Sequence, residues 1–351
     1  MRSQQGLSDM EYYDTDPVRL SEGDKSIIII DQRFLPNEEI TREIVSAEDM
    51  YDAIKTLAVR GAPCIGIFAA YCVYVRSLYT KDDELDKALN DLAKYLNSSR
   101  PTAVNLSWAL KEQMKVLDQT RGQPADKRRQ GLLETAQQIH ISDIETCEKI
   151  AEYGLTLIKE NDGVITHCNA GALATSRLGT GLGPLLLAAK RGIKLRPYVD
   201  ETRPLLQGAR LTAYELERAG LEPTLICDNM AAYVMSRGLV NAVFIGADRI
   251  AANGDTANKI GSLSLAINAK HFGVPFYVFA PTSTIDKSCK TGREIEIELR
   301  DNDEIKSLYF QRPIAPENVR CLNPAFDVVE HELITAIITE DGIHYPPYAF
   351  N

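Results

Sequence analysis

Residues 163–175 read GVITHCNAGALAT. The first six letters form a β-rich run, and the remaining seven are small and turn-like. The same rhythm of short run, turn and helix-length segment continues downstream. Its further runs are LRPYVD (195–200), PTLICD (223–228), NAVFIGA (241–247) and PFYVFA (275–280). Strands alternating with helices predict an α/β fold with a doubly wound parallel sheet.

Toward the N-terminus the pattern changes. SIIIIDQ (26–32) and EITREIV (39–45) are β-branched runs joined by RFLPNE, which reads as a hairpin. SAEDMYDAIKTL (46–57) has helical spacing with Ser46 as N-cap. Three more helices follow: one from Ala62 opened by Pro63, one over 82–99, and one opened by Pro101. A further helix spans about 132–160 by its pattern. A smaller, mainly helical domain over 1–130 with a short β-hairpin, then an α/β domain over 131–351, is the expected organisation. A chain of 351 residues exceeds the usual single core.

The formal net charge of −10 argues against nucleic-acid and membrane-surface partners, since both are polyanionic. A small anionic substrate stays open, because a phosphate pocket is local. Seven cysteines, an odd count without a CxxC, argue against a disulfide framework or a zinc ribbon. The five histidines show no metal-ligand spacing. MRSQQGLSDMEYYDTDP lacks a signal-peptide core, and the apolar run Ala62–Val75 is too short to span a bilayer. A cytoplasmic location is expected.

Ligands of open α/β sheets bind beyond the carboxyl ends of the strands. There the chain places Cys168-Asn169-Ala170-Gly171, then Glu201, Arg203 and Gln207, then Cys227-Asp228-Asn229. Asp248, Arg249, Asn258 and Lys259 follow the fourth run, with Asn258 and Lys259 read as opening the next helix, and Thr282, Ser283 and Asp286 follow the fifth. One cysteine, one aspartate and several amide and cationic groups suit a small, anionic, oxygen-rich ligand. Arg60-Gly61-Ala62 and Arg100 each stand just before a proline-opened helix, where free N–H groups and a guanidinium favour an anion. No P-loop and no full dinucleotide fingerprint is present. Cys168 reads either as a packing residue or as a thiol activated at a helix start. His167 alternates to the other face of the strand. Asp248 reads as a turn cap or as a general acid or base, Asp255 as a turn former, and Arg203 as a partner of Glu201 or a substrate contact.

Taken in order, RGAPCIG, NSSRPTAVNLSWAL, CNAGALAT, ETRPLLQGARLT, GADRIAANGDTANKIG and NPAFD resemble the methylthioribose-1-phosphate isomerases of methionine salvage, over roughly residues 20–343. The wider superfamily includes ribose-1,5-bisphosphate isomerases and regulatory subunits of the translation-initiation exchange factor. The resemblance implies a mainly helical N-terminal domain and a Rossmann-like doubly wound C-terminal domain, in an aldose–ketose isomerase acting on a sugar phosphate as a homodimer, without metal or nucleotide cofactor. It implies Cys168 and Asp248 as the catalytic pair. Substrate binding would fall to Arg60, Gly61, Ala62, Arg100, Gln207, Asn258 and Lys259. A sugar phosphorylated on its anomeric carbon cannot open by itself, so an acid must protonate the ring oxygen. Asp248 would do so if an apolar surrounding kept it protonated, and Asp228 would help position sugar hydroxyls.

The chain departs from the family pattern in two places. GSLSL (261–265) stands where GTYGL is expected, and EIELR (296–300) puts Leu299 where a glutamate is expected. Both bear on the substituent at the sugar's C5, which makes 5-deoxyribose 1-phosphate the alternative substrate. A regulatory subunit would lack the Cys/Asp pair. A thiol hydrolase would need a histidine placed as base. A bisphosphate isomerase would need a second cationic cluster.

Overall fold

The computed structural model describes residues 16–101 and 103–350; residues 1–15, Thr102 and Asn351 lie outside it. The N-terminal stretch read for a signal peptide falls almost wholly among those. The chain divides into two units: Met1–Glu145 with Ala172–Arg177, and Thr146–Gly171 with Leu178–Asn351.

The first unit starts with β1 (Val18–Leu20), β2 (Ile27–Ile30) and β3 (Thr41–Ile44), an antiparallel sheet in that order. The hairpin is β2–β3; β1, too short to show a period, joins through the backbone. Helices α1 (Ala47–Lys55), α2 (Ala62–Leu78), α3 (Leu85–Ser99), α4 (Val104–Gln119) and α5 (Ala125–Leu155) come next. Ser46 caps α1 by accepting from the Asp49 N–H at 3.0 Å. Helix α4 begins at Val104, not at Pro101. A residue before proline is driven out of the helical region, and Arg100 sits at φ −146°, ψ 81°. A turn from Ala103 N–H to Arg100 O then delays the helix by three residues. Helix α5 starts and ends earlier than its pattern suggested, because its polar first turns carry little hydrophobic signal.

Gly61 is the N-cap of α2 at φ +87°, ψ 136°. A Cβ there would lie 2.2 Å from the Ala174 carbonyl oxygen. Gly61→Ala is therefore expected to destabilise the protein, by about 1–3 kcal/mol from backbone strain before the clash is counted. A urea midpoint lowered at unchanged m-value would register this; an unchanged midpoint would contradict it.

The second unit is built on β4 (Gly163–His167), β5 (Arg196–Asp200), β6 (Thr224–Ile226), β7 (Ala242–Ile245), β8 (Arg249–Ala251), β9 (Thr256–Lys259), β10 (Phe276–Phe279), β11 (Ile285–Asp286), β12 (Phe326–Val329), β13 (Ala336–Thr339) and β14 (Gly342–His344). Its helices are α6 (Gly183–Lys190), α7 (Ala213–Arg218), α8 (Ala231–Ser236), α9 (Ser262–Phe272) and α10 (Asp303–Lys306). Seven strands form the main sheet in the order β14-β13-β10-β7-β4-β5-β6, parallel throughout except for β14. From β4 the chain steps outward to β5 and β6, then crosses back to β7 on the other side. The order reverses between β4 and β7, the place where such sheets open a crevice for ligands. Phe244, Phe276 and Phe279 are fully buried within this sheet.

A second sheet, β11-β8-β9-β12, is absent from the sequence reading. It shows that Asn258 and Lys259 end strand β9 rather than open a helix; α9 starts only at Ser262. The turn between β8 and β9 is closed by Asp255. Its carboxylate accepts from Asn253 Nδ2, Gly292 N–H, His331 N–H and His331 Nδ1, at 2.8–2.9 Å. Burial raises its pKa, but these donors outweigh burial and hold it at about 2, below the ordinary 3.8. A depressed carboxylate stabilises the fold above its unfolded pKa and loses that contribution as pH falls through the folded one. Asp255→Asn should thus flatten the acid limb of stability between about pH 4 and pH 2; urea titrations across that range check this, and parallel wild-type and variant limbs would contradict it.

Candidate functional site

Strand β4 is buried along its whole length, and Cys168 is the first residue beyond it. Cys168 has φ +65°, a left-handed conformation uncommon for a residue with a side chain. Two threonines hold it there. The Cys168 N–H donates to Thr202 Oγ1 at 2.8 Å, and the Cys168 carbonyl accepts from Thr212 Oγ1 at 2.6 Å. Thr212 lies in a π-turn, Gly208–Thr212, that feeds α7. Asn169 joins the frame, its Nδ2 donating to Thr212 Oγ1 and to the buried Glu215 carboxylate. Strain fixed by surrounding hydrogen bonds is characteristic of reacting positions.

Asp248 leaves from the neighbouring strand end. His167 of β4 is in register with Ile245 of β7, and Asp248 lies three residues beyond Ile245. The Asp248 N–H donates to Ala257 O at 2.9 Å, which ties it to β9 one residue before Asn258. Its side chain is exposed. Asp248 is thus exposed, whereas the sequence reading expects an apolar surrounding for it.

Asn258 and Lys259 are buried. Asn258 Nδ2 donates to Ser262 Oγ at 2.8 Å, and Lys259 Nζ donates to Ala325 O at 3.0 Å, with the Phe326 ring 4.3 Å away. In the variant stretch 261–265, Ser262 thus still offers the hydroxyl that orients Asn258. Gln207 precedes the π-turn; its side-chain carbonyl is buried with no hydrogen-bond partner among the described residues. Leu299, the other departure from the family pattern, is strongly exposed.

In the first unit, Arg60 and Arg100 are half-buried, Gly61 caps α2, and Ala62 is its exposed first residue. Helices α2 and α4 start side by side: a Cβ on Gly66 would meet the Asn105 carbonyl at 3.2 Å. Arg60 thus stands two residues before α2 and Arg100 four residues before α4, within one unit.

Some residues have other duties. Both Asp228 oxygens accept backbone N–H groups, of Thr202 and Arg203, at 2.7 Å, so Asp228 anchors a loop. Arg203 donates to Ile305 O at 2.8 Å and to Pro204 O at 3.2 Å and stacks on Phe310. His167 uses both ring nitrogens, toward Asp200 and Ile260 O, and is not available as a base for Cys168. The sequence reading missed Thr202, Thr212 and Glu215. ETRP and GARLT, which hold the two threonines, were visible, but which hydroxyl meets Cys168 depends on the fold. His167, Asp200 and Asp228, and likewise Asp255, His331 and Glu332, bring potential metal-ligand atoms within 4.8 Å of one another. In the first cluster His167 and Asp228 are already committed to internal hydrogen bonds, as is Asp255 in the second.

The model of the initiation factor 2 subunit family matches residues 58–346. A 5-deoxyribose 1-phosphate isomerase of Petrotoga mobilis is 49% identical over 335 residues, 95% of this chain and 96% of the relative. A methylthioribose-1-phosphate isomerase of Symbiobacterium thermophilum is 49% identical over 336 residues, 95% of this chain and 94% of the relative. The crystal structure of 5-methylthioribose 1-phosphate isomerase from Pyrococcus horikoshii superposes with a TM-score of 0.91 at 38% identity, covering 98% of this chain and 97% of that one.

Proposed function

The chain belongs to the initiation factor 2 subunit family, among its sugar-phosphate isomerases, and we propose that it converts 5-methylthioribose 1-phosphate to 5-methylthioribulose 1-phosphate. The observation that supports this most is the placement of Cys168 and Asp248 at the carboxyl ends of β4 and β7, on either side of the sheet's switch point.

The chemistry is dictated by the substrate. Phosphate on C1 blocks spontaneous ring opening, so the ring oxygen has to receive a proton as the C1–O bond breaks. Asp248 in its acid form gives that proton. Its side chain is exposed in the free chain, so the desolvation that favours the acid comes with the bound sugar. The C2 hydrogen then moves to C1, and the O2 proton returns to the Asp248 carboxylate as the ketone forms. Cys168 either relays the C2 hydrogen as a proton through its sulfur or polarises a direct hydride shift. Deuterium at C2 separates the two: a hydride shift retains it at C1, and a relay loses it to solvent. The resemblance gives the binding of the sugar phosphate to Arg60, Gly61, Ala62, Arg100, Gln207, Asn258 and Lys259. The unpartnered Gln207 carbonyl supports its share of that role.

A second substrate, 5-deoxyribose 1-phosphate, is favoured by the relative of that name and by the departures at 261–265 and Leu299. One thioether changes pocket affinity by only about 1–3 kcal/mol, so dual activity is within reach. Turnover of both sugar phosphates, measured side by side, tests the assignment. A strong preference for the thioether sugar supports the methionine-salvage reading, and a preference for the deoxy sugar replaces it by the second. The working form implied by the resemblance is a cytoplasmic homodimer, which sedimentation at twice the chain mass would support.

A further inference from the structure

The isomerase reading leaves a buried pair of ionisable groups unused. His167 and Asp200 are about 99% buried, with His167 Nδ1 3.0 Å from Asp200 Oδ2. His167 Nε2 lies 2.8 Å from the Ile260 carbonyl. A carbonyl only accepts, so Nε2 carries a proton, and Nδ1 and Asp200 share a second one. Burial alone would strip the charge from the imidazole, but the bond and charge of Asp200 hold its pKa above the ordinary range. As a stabilising element the pair is poorly made. Asp200 Oδ1 is buried without a hydrogen-bond partner among the described residues, and apolar side chains would fill such a site at less cost.

Its connections suggest another use. His167 is covalently next to Cys168. The Asp200 carbonyl accepts from Thr202 Oγ1 at 3.1 Å, and that same hydroxyl receives the Cys168 N–H. On the other side, Ile260 comes directly after Asn258 and Lys259. The Ile260 N–H donates to Ala325 O, the carbonyl that also receives Lys259 Nζ. Gly261 presses on the imidazole so closely that a Cβ there would stand 2.8 Å from His167 Cε1. The pair thus joins the strained cysteine turn to the end of β9 through one rigid, directional ring.

We propose that His167 and Asp200 are positioning residues that hold the Cys168 turn in register with the Asn258–Lys259 strand end. The proposal rests on the isomerase reading for its kinetic consequence but not for its structural one. His167 touches no substrate in this account. It acts by fixing the separation between the thiol and the groups that bind the sugar, where displacements of about 1 Å can cost a hundredfold in rate.

The test uses the full-length protein with His167→Ala, His167→Gln and Asp200→Asn, read by steady-state kinetics and by amide hydrogen exchange over residues 258–263. His167→Ala is expected to lower kcat by about 100-fold while KM moves less than about threefold, and to speed exchange over 258–263. His167→Gln, whose amide still donates to Ile260 O, is expected to recover at least about tenfold in kcat and most of the protection. Asp200→Asn, nearly isosteric, covers the case in which His167→Ala fails to fold. It is expected to lose about tenfold in kcat at unchanged KM. A His167→Ala kcat within threefold of wild type, unchanged exchange over 258–263, or no rescue by glutamine would overturn the proposal. So would an Asp200→Asn enzyme equal to wild type. If the wild type turns over neither sugar phosphate, the isomerase reading fails by itself, and the exchange measurement still decides the positioning claim: faster exchange supports it and unchanged exchange overturns it.

Discussion

Cys168→Ser is expected to fold normally and to lose about a thousandfold or more in turnover. The two expectations come from different atoms. Thr202 and Thr212 hold the cysteine's backbone N–H and carbonyl, so the strained turn survives a change of side chain. Serine is nearly isosteric and equally able to pack at the end of β4. It lacks the acidity and polarisability of the thiol, which either route for the C2 hydrogen requires. Circular dichroism and a urea midpoint close to wild type, together with the lost turnover, would separate chemistry from stability. A serine variant that keeps a tenth of the activity would leave Cys168 as a packing residue.

Asp248→Asn carries the second large effect. The side chain is exposed, and its backbone N–H keeps its bond to Ala257 O whatever stands at the position. Stability should stay within about 0.5 kcal/mol of wild type. An amide cannot protonate a departing ring oxygen, so kcat is expected to fall by about 10²–10⁴-fold with KM little changed. Initial-rate kinetics on both sugar phosphates check this. A rise in KM alone would make Asp248 a binding group rather than the acid.

Much of the fold was legible because its signals are local. Ser46 before an acidic first turn, Pro63 at the start of α2, and five β-rich runs each trailed by small or polar residues depend on neighbours in sequence. The illegible part depends on partners far along the chain. Asn258 and Lys259 looked like a helix start because Gly261 and an apolar-spaced segment come after them. Their strand pairs with β8 on one side and β12 on the other, and Asn258 and Lys259 themselves stand opposite Asp327 and Phe326, far along the chain. Strands β13 and β14 went unread for a similar reason: β13 is defined by joining β10, not by its own punctuation.

The site divides along the same line. Cys168 and Asp248 could be singled out because strand ends are where such sheets bind ligands, and the switch point between β4 and β7 gives that choice its topological reason. The threonine frame around Cys168 and the His167–Asp200–Ile260 junction could not be read, since each hydrogen bond crosses from one loop to another. Asp228 illustrates the converse. A carboxylate at a strand end looks like a sugar ligand until both its oxygens are found on the backbone N–H groups of Thr202 and Arg203. The exposure of Asp248 shifts the argument about its proton from the folded chain to the bound substrate.

The most direct measurement incubates the purified protein with 5-methylthioribose 1-phosphate and, separately, 5-deoxyribose 1-phosphate, and tracks the sugar carbons and the phosphorus by NMR. At least one is expected to be converted to its ketose 1-phosphate with the phosphate still attached, and Cys168→Ser is expected not to perform the conversion. No ketose from either sugar, or ketose formed equally well by the serine variant, would contradict it.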